Sequence, residues 1–139
     1  MSLLLEYTVT ARRVDSSGSV AGAKSAEVVL DTSLAGRLDA LNPAELLLAS
    51  LAACMIKGAE RVAPMLNFEL QGISVRLHAV RADSPPSIKT IDYEIAVESD
   101  EPERRLELLH TNIRKFGTIS NTLAAAVQLT GSIRRADNL

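Results

Sequence analysis

A chain of 139 residues suits one domain, and at that size it buries about two-thirds of the surface its unfolded form exposes, without a metal or disulfide. A net charge of −2, with two Phe, two Tyr and no Trp, argues against nucleic acid, anionic lipid and base-stacking partners. One cysteine excludes an internal disulfide. His78 and His110 stand too far apart to make a tetrahedral zinc set, so no metal or cofactor is expected.

The opening residues, MSLLLEY, have no basic stretch and too short an apolar run for a signal peptide. No run approaches the ~20 apolar residues of a membrane span. The expected location is the cytoplasm, with the thiol reduced. Tyr7-Thr8-Val9-Thr10 is β-type, Asp15-Ser16-Ser17-Gly18-Ser19 is a turn cluster, and residues 20–31 alternate loosely, which predicts an N-terminal β-hairpin or meander over 3–31. Thr32 to Leu41 reads as a loop. Asn42-Pro43-Ala44-Glu45 then combines a capping side chain, a proline at the first helical position and a glutamate three residues after the cap. A central helix over 42–63 follows, which Pro64 should stop.

The first half of that helix, Leu46 to Met55, carries no charge. A helix apolar all round must be covered on all sides, and a homodimer that encloses it is the natural solution. Residues 68–98 predict a β-hairpin: Ile73, Val75 and Leu77 alternate, Asp83-Ser84-Pro85-Pro86-Ser87 breaks the chain, and Ile88, Ile91, Tyr93, Ile95 and Val97 return. Helices are expected over 101–127, the first amphipathic through Leu106, Leu109, His110 and Ile113 and ended by Gly117. A final strand is expected over 128–135. Strands, long helix, strands, helices and strand make an α+β chain with an antiparallel sheet, in one domain over 1–139.

Cys54 is the main candidate for chemistry. Its helical stripe holds Leu47 and Ser50 before it and Lys57, Gly58 and Arg61 after it, apolar first and then basic. The two cations would favour a thiolate. Free cysteine is also among the most buried residue types, so a core role stays open. Glu45, nine residues earlier, falls on roughly the opposite face and reads first as a capping partner. His78 and His110 have no partner at a diagnostic spacing. Arg12-Arg13, Arg104-Arg105 and Arg134-Arg135 are solvated pairs by default, with Arg12 or Arg13 the better candidate for a pocket because a strand holds it.

The stretch NPAELLLASLAACM resembles the central helix of the OsmC/Ohr family, the osmotically inducible and organic hydroperoxide resistance proteins, in its Asn-Pro, its Glu, its Leu/Ala-rich run and its Cys. LHAVRADSPPSIKTIDYEIAV resembles the family's strand, break and return strand, and RKFGTISNTLAAAVQLTGSI resembles the region Cys-Pro-hydrophobic-Ser-Asn-Thr-Leu. The resemblance runs from about Asp31 onward. It implies an OsmC-like fold in which antiparallel β-sheets wrap long central helices in an intertwined homodimer. It also implies thiol-dependent reduction of a small-molecule hydroperoxide, with Cys54 and Glu45 in the catalytic positions. Ser50, Gly117, Thr118 and one of Arg12, Arg13 and Arg37 would line the pocket.

The chain departs from the family pattern in two places. Gly117-Thr118 stand where the family has Cys-Pro, so the resolving cysteine is missing and an external thiol would have to replace it. Ala44 stands where the peroxide-reducing members carry their Glu. The alternative is an inactive dimer that binds a small apolar or thiol-bearing ligand, or a purely structural one.

Overall fold

Residues 5–139 are described by a computed structural model, in which the described residues form two three-stranded sheets and three helices. The class is α+β, as the pattern of elements predicted. The chain divides into two compact units, Met1–Leu47 and Leu48–Leu139.

The first unit is an antiparallel meander of β1 (Thr10–Asp15), β2 (Gly18–Ala23) and β3 (Ala26–Leu30). Asp15 makes the first turn by accepting a 2.8 Å bond from the Ser17 N–H. Lys24 makes the second, at a left-handed φ of 57°. The β-type stretch from Tyr7 is not a strand until Thr10. Thr10 pairs with Gly22 and β2 ends at Ala23, so no residue of β2 remains to face Tyr7 or Thr8. Residues 3 and 4 of the expected hairpin lie outside the described residues. The loop after β3 is organised by Asp31, which accepts bonds from the Ser33 N–H and hydroxyl (3.1 and 2.8 Å) and from the Arg37 N–H (2.9 Å).

Helix α1 (Pro43–Met65) starts as its sequence dictates. The Glu45 N–H donates to Asn42 Oδ1 at 2.8 Å and the Asn42 N–H to Glu45 Oε1 at 2.9 Å, a reciprocal capping box. Its end differs from the expectation: Pro64 lies inside the last turn, and the helix runs on to Met65. The helix closes through Asn67, at φ 52°, with the Asn67 N–H on the Pro64 carbonyl (3.2 Å) and the Phe68 N–H on the Ala63 carbonyl (2.8 Å). That pattern satisfies the last carbonyls in place of continued helix.

The second unit holds the rest of α1 and a sheet ordered β4-β5-β6, from β4 (Gly72–Asp83), β5 (Pro86–Glu98) and β6 (Gln128–Arg135). The register of β4 and β5 jumps from Val80↔Thr90 to Arg81↔Ile88, leaving Lys89 as a bulge. The bulge shifts the alternation by one residue, so Ile88 and Ile91, three apart, both pack on the core. β6 pairs with β5 in parallel, against the antiparallel rule of the other pairs. Helices α2 (Glu103–Phe116) and α3 (Thr118–Ala124) supply the long crossover that parallel pairing needs.

One face of β5, with Ile91, Tyr93, Ile95 and Val97, meets Leu106, Leu109 and Ile113 of α2 and Leu51, Met55, Ala59 and Val62 of α1 in one buried cluster. The buried stripe of α1 is narrow. Ala53 is exposed, and Ala52 and Ile56 are only half-buried.

Candidate functional site

Cys54 sits on α1 between the fully buried Leu51 and Met55 and is itself half-buried. The junction between α2 and α3 lies against it. A Cβ built on Gly117 would stand 3.4 Å from Cys54 Sγ and 3.0 Å from the Ile113 carbonyl, and it would overlap Ser120 Oγ. Gly117 has φ −79°, ordinary for any residue, so the junction needs glycine for space and not for a left-handed turn. Ser120 is buried and donates to the Gly117 carbonyl at 3.1 Å. One turn beyond Cys54, a Cβ on Gly58 would lie 3.8 Å from Ile113 Cγ2. Small residues at 54, 58 and 117 thus let two helices and a turn meet around one thiol. Such a thiol can react with a small molecule from solvent while its neighbours limit what approaches.

The structure brings Cys54 and Gly117 together within the second unit. Ser50 is exposed on the same helix one turn earlier, and Thr118 is exposed at the start of α3. α3 is only seven residues, so its dipole offers the thiol little. Lys57 and Arg61, expected to lean toward the sulfur, are both exposed.

The remaining candidates belong to the first unit. Glu45 has its carboxylate in the capping box. Arg37 is held by Asp39 in a two-pronged ion pair of 2.8 and 2.9 Å and reaches the Ser17 carbonyl at 3.4 Å. Hydrogen bonding to that guanidinium keeps the Asp39 carboxyl below its ordinary value. Arg12 lines a concavity of about 120 Å³ on the meander with Thr10, Ala11, Val20, Gly22 and Glu27, while Arg13 is exposed on β1.

Sequence reasoning missed a polar cluster in the second unit. Tyr93 Oη lies 2.6 Å from His110 Nε2 and accepts a 3.0 Å bond from Arg114 Nη1, which also reaches the Leu129 carbonyl at 3.4 Å. The Tyr93 ring lies against Gly131 of β6, where a Cβ would overlap it. Burial pushes the His110 imidazole below its ordinary value. The charge of Glu107 opposes this shift, and Arg114 adds to it. The available signal was the i, i+4 spacing of His110 and Arg114 on the helix and the inward phase of Tyr93.

The family description "OsmC-like protein" matches residues 35–131, more than two-thirds of the chain. This chain belongs to the OsmC-like family. An OsmC-like protein from Mycoplasma pneumoniae has the same fold at 18% identity, covering 96% of this chain and 99% of that one with a TM-score of 0.88. An organic hydroperoxide resistance protein OsmC and predicted redox protein from Legionella pneumophila shares 18% identity, covering 95% of this chain and 98% of that one with a TM-score of 0.75.

 The organic hydroperoxide resistance protein OhrB of Bacillus subtilis shares 20% identity, covering 95% of this chain and 100% of that one with a TM-score of 0.68. No curated protein sequence is significantly similar to the chain. At these identities the solved structures establish the OsmC-like fold alone.

Proposed function

We propose that this OsmC-like protein is a cytoplasmic redox protein that reduces organic or small hydroperoxides through Cys54, with an external thiol as resolver. The Cys54 thiolate attacks the distal peroxide oxygen. The O–O bond breaks, an S–O bond forms, and the departing alkoxide takes a proton to leave as an alcohol. The resulting sulfenic acid condenses with a small thiol, releasing water and leaving a mixed disulfide. A second thiol frees Cys54 and departs as the oxidised disulfide. The observation that carries this reading is the half-buried sulfur beside the side-chain-free Gly117. The substrate class is that for which the Legionella and Bacillus proteins are named, organic hydroperoxides. Cys54 keeps the chemical role, while Glu45 serves it indirectly by starting the helix that carries the thiol.

The working form is a homodimer. Its support is the apolar surface the chain leaves open, with Ala53 exposed on α1 and Leu34 and Leu38 fully exposed on the loop after β3.

Dilute cumene hydroperoxide at neutral pH should give a dimedone adduct on Cys54, seen by mass spectrometry, and turnover should need added thiol. Absence of the adduct, with a control thiol protein oxidised in parallel, overturns the reading. The second reading, a ligand-binding dimer without chemistry, draws on the structural engagement of Glu45 and Arg37. It expects Cys54→Ser to leave ligand binding and stability unchanged.

A further inference from the structure

We propose that Arg114, Tyr93 and His110 form a relay that holds the α2–α3 junction against Cys54, and that protonation of His110 loosens it. The functional consequence rests on the reading of Cys54 as the reactive group; the relay itself does not.

One proton arrangement gives the Tyr93 hydroxyl hydrogen an acceptor within the cluster. Arg114 has only donors, so the 3.0 Å contact has Tyr93 Oη accepting. The Tyr93 hydroxyl hydrogen is then free to donate across the 2.6 Å contact to His110 Nε2. In that arrangement Nε2 is unprotonated and the imidazole proton is on Nδ1, 3.9 Å from Glu107 Oε2. Protonating His110 puts a second donor against the phenol. Tyr93 Oη then faces two cationic donors, and its own hydrogen loses its acceptor.

The charges acting on His110 are Glu107 and Arg114, both on α2. β5 contributes the Tyr93 phenol. α3 carries no charged side chain, and those of α1 beyond Cys54, Lys57, Glu60 and Arg61, are exposed. Arg134 and Arg135 of β6 pair with Glu94 and Glu103.

The relay reaches the thiol through the last turn of α2. Arg114 ties that turn to β5 and to the Leu129 carbonyl of β6. Its neighbour Ile113 packs against Gly58, and Gly117, three residues on, abuts Cys54. Releasing Arg114 and His110 from Tyr93 removes the polar anchor of this turn and uncovers the sulfur.

The test compares rates of Cys54 modification by 4,4′-dithiodipyridine in the wild-type protein and in His110→Gln between about pH 5 and pH 8. The ratio of the two rates cancels the pH dependence of the reagent and of the thiol. It should be constant at neutral pH and rise several-fold as His110 takes up its proton. A flat ratio overturns the proposal.

If His110→Gln does not fold, Tyr93→Phe replaces it. That variant lacks the relay at every pH, so the wild-type rate should be lower at neutral pH and approach the variant's rate in acid. Equal rates throughout overturn the proposal. A pH-dependent ratio in a protein that forms no sulfenic acid with peroxide would keep the relay and remove the proposed reaction.

Discussion

At position 117 the absent side chain matters more than any side chain could. A methyl group there would overlap Ser120 Oγ and press on the Ile113 carbonyl and Cys54 Sγ. Gly117→Ala should therefore destabilise the protein by about 1–3 kcal/mol, measured by urea denaturation. Ser120→Ala should recover part of that loss in the double variant, because the two sites share one overlap. The Gly117 carbonyl keeps a partner there, the Asn121 N–H at 2.9 Å. With Ser120→Ala in place, Gly117→Cys should form a disulfide with Cys54 under mild oxidant, since the sulfurs come within reach of a bond of about 2.05 Å. Two free thiols by mass spectrometry would contradict the geometry. The proximity of residues 54 and 117 was legible only through the family resemblance. No local signal connects positions so far apart in sequence.

Among the elements, α1 was the most legible because its start is decided by four adjacent residues. Asn42→Ala should cost about 1 kcal/mol of stability by urea denaturation. Glu45→Gln should cost much less, because an amide oxygen still accepts the Asn42 N–H. The other end was less legible. Pro64 lacks an N–H but does not prevent the turn it sits in from closing, and Asn67 takes the left-handed position that ends the helix. In the hairpin, the three-residue spacing of Ile88 and Ile91 marked a departure from strict alternation, and the bulge at Lys89 accounts for it. The parallel pairing of β5 and β6 had no local signature, since it depends on where the crossover helices deliver the chain.

For the whole molecule, acid should act in two stages. His110 is held neutral in the fold below its ordinary value of 6.5, so the unfolded chain binds its proton first. Its contribution is complete above pH 6.5 and declines as the pH falls below that value toward the folded one. Asp15, Asp31 and Asp39 lie below their ordinary value of 3.8, held by hydrogen bonds from Ser17, from Arg37 and Ser33, and from Arg37 respectively. Glu101 lies below 4.5 through the Glu69 N–H. The stability these carboxylates add is present above their ordinary values and lost as pH falls through the folded ones. Urea midpoints against pH should show both stages, and His110→Gln should abolish only the first. In light scattering the protein should have twice the 14.9 kDa mass of one chain, and Ala53→Glu should shift it toward the monomer.

The sequence by itself determined the order and type of the elements, the cap of α1 and the candidacy of Cys54, because each depends on neighbouring residues or on periodicity along the chain. Only the tertiary structure decided that Gly117 is glycine for want of space beside Cys54, and that Tyr93 meets His110 and Arg114 in one hydrogen-bonded cluster. These are contacts between residues distant along the chain, and packing alone chooses which of the possible partners meet.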